Sequence, residues 1–432
     1  MNLLYANDRP GTYPDSWYAA TSDIGPVRAP LPGTVQADVC VVGAGYTGMS
    51  AALHLAQAGR RVVVVEAQRV GFGASGRNGG QLGAGQRVEQ PDLEQMVGHD
   101  RARVLWDMGR AAVALVKALV AEHAIDCHLK PGLAWTAEHS SDVDDLHRYA
   151  EHMARHYDYP LEVLDAAGFA RFCPSPAYKG GILDWEPGHL HPLRYALGLA
   201  RAAEAAGAVI YEGSAVHDIS EGAKVTVRTD GGVVEADHLI LACNGYLGGL
   251  SGQVAARVMP INNFVVATAP LDDPDQVLAQ DIAVSDGRFV VNYFRLSHDK
   301  RLLFGGGESY GYRFPRDIAA KVRKPMTEIF PHLADVPIDY AWGGTLAITM
   351  KRLPYLVRLA PNVLSASGYS GHGVGTATQA GQLMARAIQG DGDGFDTMAA
   401  LPTIPFPGGT AMRTPLLALA MTWYSMRDRL GL

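Results

Sequence analysis

The sequence predicts an α/β fold (α+β overall) in which a domain built on a parallel sheet is interleaved with a second domain. Three observations predict it. A chain of 432 residues is too long for one ordinary core. Strand–helix patterns typical of parallel sheets occur at residues 38–80, 192–245 and 362–390, with other material inserted twice between them. The composition, 48% apolar and 19% charged, is ordinary for a globular protein.

The first strand–helix–strand unit contains a glycine motif. Residues 38–42 and 61–66 are apolar runs, and residues 46–58 carry helical spacing, which predicts two parallel strands joined by a helix. Glu66 ends the second strand and is followed by Ala67. The turn between the first strand and the helix has the pattern G-x-G-x-x-G and consists of Gly43, Ala44, Gly45, Tyr46, Thr47 and Gly48.

This motif predicts a dinucleotide site. Gly43 permits a tight turn, Gly45 lets the backbone approach a pyrophosphate, and Gly48 lets the helix pack close to the strand. The N-terminus of the helix stabilises phosphate through its free N–H groups and its dipole. Glu66 can accept hydrogen bonds from ribose hydroxyls. The motif by itself leaves open whether the dinucleotide is NAD or FAD.

Two further glycine-rich loops favour FAD. The first covers residues 71–81 and includes Ser75, Arg77, Asn78, Gly79, Gly80 and Gln81. The second, residues 368–375, lies at another strand-to-helix junction and includes Gly371, His372, Gly373 and Val374. A second helix N-terminus directed at a ligand suits a flavin, because the N1–C2=O edge of a flavin becomes anionic on reduction.

Together, the three glycine loops and Glu66 resemble the D-amino-acid oxidase superfamily, which includes glycine and sarcosine oxidases. A narrower similarity to its gamma-glutamylputrescine oxidase group rests on residues 16–20, 188–193, 405–409 and 427–431. The resemblance implies a Rossmann-like FAD-binding domain interleaved with an antiparallel-sheet substrate domain. The implied division is an N-terminal arm, 1–36; the FAD-binding domain, 37–92, 176–250 and 335–400; the substrate domain, 93–175 and 251–334; and a C-terminal tail and helix, 401–432.

The resemblance also implies positions within the site. Val216 meets adenine, Asn244 and Gly245 lie near the adenosine, and residues 371–374 line the pyrimidine edge. Sarcosine oxidases attach flavin through a cysteine shortly before the last glycine loop, and here no cysteine follows Cys243. We therefore expect FAD to be held non-covalently. The loop along the pyrophosphate and flavin contributes Ser75, Asn78, Gly79, Gly80 and Gln81.

His372 and Arg77 are the candidate catalytic residues. His372 either stabilises reduced flavin or assists oxygen reduction, and hydrogen bonding to backbone is the alternative. Arg77 is expected to fix its loop and to add positive potential near the cofactor. His189 and His191 are expected to make structural hydrogen bonds rather than to bind a metal. Trp185, Tyr293 and Trp342 either form an aromatic pocket for an amine or pack in the core, which is the more common role of such residues.

The expected reaction is FAD-dependent oxidative deamination of an amine, with hydride transfer to flavin N5. Oxidases of small amino acids hold the substrate carboxylate with an arginine shortly before a segment that resembles residues 353–355. Residues 343–350 contain no arginine, and the nearby cations are Lys351 and Arg352. A bidentate partner for an α-carboxylate at the flavin is therefore expected to be missing. Gamma-glutamylputrescine or a related gamma-glutamylated amine or polyamine fits better, and oxygen as acceptor gives an aldehyde, ammonia and hydrogen peroxide. A distant cation for the glutamyl carboxylate is expected among Arg288, Arg295 and Arg313.

Two alternatives stay open: a D-amino-acid or glycine/sarcosine-type oxidase or dehydrogenase that passes electrons to a quinone, and a non-catalytic FAD-binding module. The net charge of −7 argues against a nucleic-acid partner. The cysteines lack the spacing of a zinc site and are expected to be reduced, in a cytoplasmic protein. No transmembrane segment is expected, and a homo-oligomer stays open. The apolar stretch 415–426 is expected to dock on the body or a sister subunit, with a membrane-surface helix as the alternative.

Overall fold

The computed structural model describes residues 2–288, 290–309 and 311–408, and its strands form two sheets. Numbered in chain order, the strands are β1 (Gly33–Val42), β2 (Val62–Val65), β3 (Gln81–Leu82), β4 (Lys130–Thr136), β5 (Glu162–Asp165), β6 (Gly180–His189), β7 (Val209–Tyr211), β8 (Val216–Ser220), β9 (Val225–Thr229), β10 (Gly232–Leu241), β11 (Met259–Thr268), β12 (Ala283–Asp286), β13 (Tyr293–Leu296), β14 (Leu302–Ser309), β15 (Ile338–Ile348), β16 (Tyr355–Ala360) and β17 (Val363–Ser367).

The described helices lie mostly between strands of the two sheets. They are α1 (Trp17–Ala20), α2 (Tyr46–Gln57), α3 (Gln90–Val97), α4 (His99–Glu122), α5 (Ser140–Tyr157), α6 (Ala166–Ala170), α7 (Pro192–Ala205), α8 (Gly252–Ala255), α9 (Ile318–Ile329), α10 (Gly373–Ile388) and α11 (Asp393–Ala399). Among the residues described, no helix is long and apolar enough to cross a bilayer. The stretch 415–426, for which the sequence predicts a docking helix, lies outside them.

The first sheet is parallel at its centre. Its main path runs in the order β16-β17-β10-β1-β2-β7, and β1 is parallel to both β2 and β10. The strand β2 consists of Val62–Val65 and is buried along its whole length, as expected for a strand covered on both faces. Helix α2 connects β1 to β2 and packs against α7 and α10. This is the Rossmann-like arrangement that the sequence predicts.

The second sheet is mainly antiparallel. Its main path runs β15-β11-β14-β13-β12-β4-β6-β3, with β12 and β4 as a parallel pair. Its own core includes Phe264, Phe294, Phe304 and Phe330, and α9 packs on β11, β14 and β15. The predicted α/β fold with an interleaved antiparallel sheet is therefore confirmed.

Sheet membership changes inside the expected domain segments. The strands β3, β6 and β15 lie in segments that the sequence assigns to the FAD-binding domain, 37–92, 176–250 and 335–400, but they pair in the second sheet. These strands carry the chain from one sheet to the other along the boundary between them. The division of the chain into domain segments stays a prediction.

Candidate functional site

A large cavity connects the two sheets. It has a volume of about 1440 Å³ and begins where β1 and β2 end, at Val42 and Val65. It continues to β4, β6 and β12, where Leu133, Asp184 and Ser285 line it. Ligands of parallel α/β sheets bind outside the carboxyl ends of the strands. Because drug-sized pockets measure roughly 300–1,000 Å³, this cavity leaves room for a dinucleotide and a second molecule.

Two parts of this cavity differ in composition. The glycine end is formed by the turn after β1 and by the end of β2, and comprises Gly43, Gly45, Tyr46, Thr47, Glu66 and Ala67. The aromatic end is formed by residues between α4 and β6, and comprises Trp106, Trp135, Tyr149, Tyr159, Ile182 and Asp184. Between the two ends, the cavity is lined by the loop of residues 71–81 and by the turn before α10.

The turn at the glycine end requires glycine at two positions, Gly43 and Gly48, and leaves little room for a side chain at a third. Gly43 has a φ of 103°, and its N–H donates to the Val65 carbonyl oxygen at 2.9 Å. A Cβ atom on Gly48 would lie 1.9 Å from the Gly43 carbonyl oxygen, so α2 could not begin so close to β1. A Cβ atom on Gly45 would lie 2.8 Å from Ser75 Oγ. The turn therefore presents backbone rather than side chains to the cavity.

Two helix N-termini meet the same cavity. Helix α2 begins at Tyr46 and α10 begins at Gly373, and both residues line the cavity. Neither of the preceding residues, Gly45 and His372, caps its helix with its own side chain. The positive ends of two helix dipoles therefore favour anionic groups at two separate points.

Glu66 lies at the carboxyl end of β2. Its Oε2 accepts the Ala44 N–H at 2.7 Å, and its Oε1 accepts the Gln68 N–H at 2.8 Å. Burial raises the pKa of Glu66 to about 7, and the backbone donors oppose this by favouring the ionised form. A carboxylate offers about four acceptor positions, so Glu66 retains capacity for ribose hydroxyls.

Asn78 gives the loop of residues 71–81 its shape. Its Nδ2 donates to the carbonyl oxygens of Ala74 and Ser75 at 3.0 and 3.1 Å, and its Oδ1 accepts the Gly80 N–H at 2.8 Å. Ser75 Oγ in turn accepts the Tyr46 N–H at 3.0 Å. The loop is thereby closed on itself and joined to the first turn of α2.

Arg77 joins the same loop to distant parts of the chain. Its Nε donates to the Phe72 carbonyl oxygen at 2.6 Å, and its Nη1 donates to Asp8 Oδ2 at 2.9 Å and to the Gly343 carbonyl oxygen at 3.1 Å. Trp342 Nε1 donates to the Arg77 carbonyl oxygen at 3.0 Å. These contacts are those of a loop-fixing residue, and a catalytic role for Arg77 stays a prediction.

His372 is neutral at pH 7. Burial lowers the pKa of His372 to about 4, and nearby Arg87 lowers it further, although the backbone of Gly83 and Gly85 opposes this. A Cβ atom on Gly83 would lie 2.5 Å from His372 Cε1, which shows how closely the ring contacts that backbone. The neutral ring supplies no fixed positive charge, so an anionic flavin edge would depend on the dipole of α10. A catalytic role for His372 stays a prediction.

The structure brings nearly all residues of the predicted site to one cavity. Every predicted catalytic or cofactor-binding residue lines it except Ala44, Gly48 and Gly80. These three support the wall through backbone contacts. The assignment of each residue to a part of the cofactor, such as Val216 to adenine and Asn244 to the adenosine, stays a prediction.

The three aromatic residues singled out from the sequence have different environments. Tyr293 lines the cavity, and its ring lies against the loop at Gly79, where an added Cβ atom would be 2.5 Å from Tyr293 Cε2. Trp342 is buried in the core and bonds to Arg77. Trp185 is 44% exposed and lies outside the cavity lining. Only Tyr293 therefore suits an aromatic pocket.

The two histidines of β6 and its end make structural hydrogen bonds. His189 Nε2 lies 3.2 Å from the Asp281 carbonyl oxygen. His191 Nε2 lies 3.1 Å from Thr21 Oγ1, and His191 Nδ1 accepts the Arg194 N–H at 3.3 Å, which caps α7. Within the described ranges, no group of His, Cys, Asp and Glu could hold a metal ion.

The candidate cations for the glutamyl carboxylate differ in position. Arg295 is buried, and its Nε donates to the Gly79 carbonyl oxygen at 2.9 Å, so it supports the loop of residues 71–81. Arg313 is exposed and lies outside the cavity lining. Arg288 lines the cavity and pairs with Glu138. Of the three, Arg288 alone reaches the cavity.

The sequence does not predict the aromatic end, because its residues come from separate elements and form no local motif. The available signal is Asp184, a carboxylate in a strand whose neighbouring residues are mostly apolar and buried. The cavity-lining residues that the sequence prediction missed include Gln86, Arg87, Trp106, Trp135, Tyr149, Tyr159, Asp184, Asp286 and Arg352.

The glycine turn, the two helix N-termini, Glu66 and the cavity volume fit FAD, and the fold and site define a dinucleotide-dependent oxidoreductase. Residues 38–387 match the family described as FAD dependent oxidoreductase (DAO), and the chain belongs to this family. It is an FAD-dependent enzyme. The resemblance seen in the sequence motifs is thereby confirmed, while non-covalent attachment of FAD stays a prediction.

Relatives match almost the whole chain. A probable oxidoreductase OrdL of Rhizobium meliloti is 44% identical over 96% of this chain and 97% of its own length. A gamma-glutamylputrescine oxidoreductase of Escherichia coli is 40% identical over 96% of this chain and 98% of its own length. The crystal structure of glycine oxidase from Geobacillus kaustophilus matches with a TM-score of 0.72 and 24% identity, over 85% of this chain and 98% of that chain. This last similarity concerns the fold.

Proposed function

We propose that this enzyme oxidises the primary amine at the end of an aliphatic chain, with a gamma-glutamylated amine such as gamma-glutamylputrescine as substrate and oxygen as acceptor. The composition of β15 carries the proposal. This strand lines the cavity through Gly344, Leu346 and Ala347 and contains no Lys or Arg. An α-carboxylate beside the oxidised carbon would therefore find no bidentate partner on β15 itself, although Arg352 lines the cavity four residues beyond the end of the strand. The E. coli relative, by its name, supports the particular amine.

The cavity walls favour the neutral amine that this oxidation requires. Bound FAD supplies the acceptor for the hydride that leaves the carbon bearing nitrogen. A free alkylamine has a pKa of about 10.4, and its ammonium form has no lone pair with which to stabilise the iminium. Val291, Leu346 and Ala347 line the cavity away from its aromatic end, and apolar surroundings disfavour the charged form. The chain then needs no dedicated base, and kcat/KM is expected to rise towards alkaline pH.

Anaerobic bleaching of the flavin tests the proposal. Gamma-glutamylputrescine is expected to bleach the flavin fastest, and putrescine about 10–150-fold more slowly, because it lacks the charge-assisted contacts of the glutamyl group. Glycine, sarcosine and D-alanine are expected to be poor substrates. Equal or faster bleaching by D-alanine would contradict the proposal and favour an amino-acid oxidase or dehydrogenase.

The same preparation separates the remaining alternatives. Under air, peroxide in an amount equal to the amine consumed supports oxygen as acceptor. Reduction of a quinone-type dye without peroxide favours a dehydrogenase. If no amine or amino acid bleaches the flavin, the proposed substrate class is wrong and the enzyme acts on another donor.

A further inference from the structure

Asp184 is a buried carboxylate at the aromatic end of the cavity. Asp184 is 4% exposed, and its carboxylate forms no ion pair in the part of the chain that the structure describes. Lys117 is the cation that influences it, but the Lys117 ammonium donates to the Glu186 carbonyl oxygen. Buried carboxylates are ordinarily paired with a cation, so the missing partner needs an explanation.

Hydrogen bonds hold the Asp184 carboxylate in place. The Tyr159 hydroxyl lies 2.7 Å from both carboxylate oxygens, and the Glu186 N–H donates to Oδ1 at 3.0 Å. Burial raises the pKa of Asp184 to about 6, so the group is mostly ionised at the alkaline pH that amine oxidation favours. With about four acceptor positions on a carboxylate, Asp184 can accept further N–H donors.

Aromatic rings line the same end of the cavity as this carboxylate. Trp106 and Tyr159 meet edge to face with their ring centroids 4.9 Å apart, and both line the cavity. Burial raises the pKa of Tyr149, and the nearby carboxylates of Glu89 and Asp184 raise it further. Trp135 lines the cavity on β4, beside β6. Aromatic faces and an anion together attract an ammonium group.

Two further polar atoms near this end lack partners. Trp106 Nε1 and Gln86 Oε1 are buried and have no hydrogen-bond partner among the described residues, although both residues line the cavity. An N–H donor and a carbonyl acceptor that line the same cavity as a carboxylate match the mixed needs of an amino-acid head group, which carries an ammonium and a carboxylate.

We propose that the aromatic end is a binding subsite for the α-ammonium of the gamma-glutamyl group and that Asp184 is the residue that determines specificity for it. This inference rests on the proposed function. It places the amine that is oxidised and the ammonium that is recognised at different points of one cavity. Asp184 binds the charged nitrogen, and Tyr159 positions Asp184.

The length of the substrate agrees with this placement. Gln81, which the sequence predicts to lie along the flavin, pairs with His189, whereas Asp184 pairs with Leu133. Three residues of β4 and five of β6 therefore separate the predicted flavin position from Asp184. At about 3.3 Å per residue, this is roughly 10–16 Å. In gamma-glutamylputrescine, the chain from the oxidised carbon to the α-nitrogen has as many bonds as three residues of backbone. It therefore spans roughly 10–11 Å when extended.

Matched ligands test the role of Asp184. Glutarylputrescine keeps the reactive amine and the terminal carboxylate of gamma-glutamylputrescine but lacks the α-ammonium. The wild-type enzyme is expected to prefer the glutamyl compound in kcat/KM by about 10–100-fold, mainly through KM, as for one buried charge-assisted hydrogen bond. Asp184→Asn is expected to reduce this preference to less than about threefold. Tyr159→Phe keeps the aromatic ring and leaves Asp184 in place, and its preference for the glutamyl compound is expected to lie between those of wild type and Asp184→Asn.

Equilibrium binding separates this inference from the proposed function. The gamma-n-butylamide of glutamate and the mono-n-butylamide of glutarate lack the reactive amine. Their binding can be followed through changes in the absorption spectrum of the oxidised flavin, without turnover. The glutamyl amide is expected to bind more tightly to wild type but not to Asp184→Asn. If no amine is oxidised but this difference in binding persists, the proposed reaction fails and the subsite stands.

Three outcomes overturn the inference. They are equal binding of both amides to wild type, an equal loss for both ligands in Asp184→Asn, and an equal change in ligand preference in Glu221→Gln. Glu221 is an exposed carboxylate outside the cavity lining, so its variant controls for removal of a negative charge. Flavin content and Tm identify any variant that fails to fold. If Asp184→Asn does so, Tyr159→Phe carries the same comparison.

Discussion

The glycine end and the aromatic end of the cavity are built in different ways. At the glycine end, the turn after β1, the start of α2 and Glu66 lie within one strand–helix–strand unit, and backbone forms much of the wall. At the aromatic end, Trp106 belongs to α4, Trp135 to β4 and Asp184 to β6, and side chains form the wall. The wall of the first end depends on geometry close in sequence, and that of the second on contacts that tertiary packing creates.

This difference separates the two tasks of the enzyme. A pyrophosphate needs free N–H groups and a helix dipole, which any chain with the right turn provides. Recognition of one amine among many needs side chains of particular charge and shape. We therefore expect substitutions at the glycine end to change how much FAD is bound, and substitutions at the aromatic end to change which amine is oxidised.

The largest expected effect is the loss of FAD in Gly45→Val. A Cβ atom at this position would lie 2.8 Å from Ser75 Oγ, and the valine side chain would fill the wall against which the pyrophosphate is expected to lie. The flavin content of the purified variant, measured from absorbance after acid precipitation, is expected to fall below about a tenth of wild type.

Gly311→Val is the matched control, because a Cβ atom at Gly311 meets nothing within 4 Å. It should keep a full flavin content. Retention of FAD in Gly45→Val would contradict the predicted path of the pyrophosphate. In the wild type, the same acid step should release FAD into the supernatant, and flavin that stays with the precipitate would contradict non-covalent attachment.

A smaller effect is expected for Glu66→Gln, which should weaken FAD binding by about 10–150-fold. The variant loses charge-assisted hydrogen bonds to ribose hydroxyls and one of the two acceptors for the Ala44 and Gln68 N–H groups, but leaves the substrate part of the cavity unchanged. Equilibrium titration of apoprotein with FAD measures this loss. Glu221→Gln, an exposed carboxylate between β8 and β9, serves as the control. An unchanged Kd in Glu66→Gln would contradict the assigned role.

The apoprotein should show a pH dependence of stability that arises from Glu66. Its folded-state pKa of about 7 lies above the ordinary value, so the folded state holds this proton more tightly than the unfolded state. The corresponding stability is present below about pH 4 and is lost as pH rises towards 7. The Tm of Glu66→Gln apoprotein relative to wild type is therefore expected to increase between pH 5 and 8.

Particular residues show how far the sequence could predict the site. Gly43 and Gly48 are fixed by a φ of 103° and by a 1.9 Å approach, and both constraints act within a few residues. In contrast, the contact of Arg77 with Asp8, and that of Tyr159 with Asp184, join residues whose proximity depends on the packed fold. Local patterns therefore predicted the fold and the glycine end, but they could not predict the aromatic end.

The smallest effect on activity is expected for substitution of His372. The charge of this residue depends on its burial, which its sequence motif does not predict. Its pKa of about 4 keeps the ring neutral across the working range, so His372→Gln should lower kcat/KM by less than about tenfold. Loss of a general acid or base ordinarily costs about 10²–10⁴-fold. His332→Gln, at an exposed position, is the control.

Two measurements decide the role of His372. The pH profile of kcat/KM for His372→Gln should keep the wild-type shape between pH 6 and 9, because His372 does not titrate there. Since its folded-state pKa is lowered, wild type should lose the stability linked to this residue as pH falls from about 6.5 to 4. As pH falls, the Tm of His372→Gln relative to that of wild type should therefore increase, and only in that acid range. A loss of more than about 100-fold in kcat/KM, or the disappearance of a limb of the pH profile near 6.5, would make His372 a catalytic residue and remove the contrast between a backbone-built cofactor site and a side-chain-built substrate site.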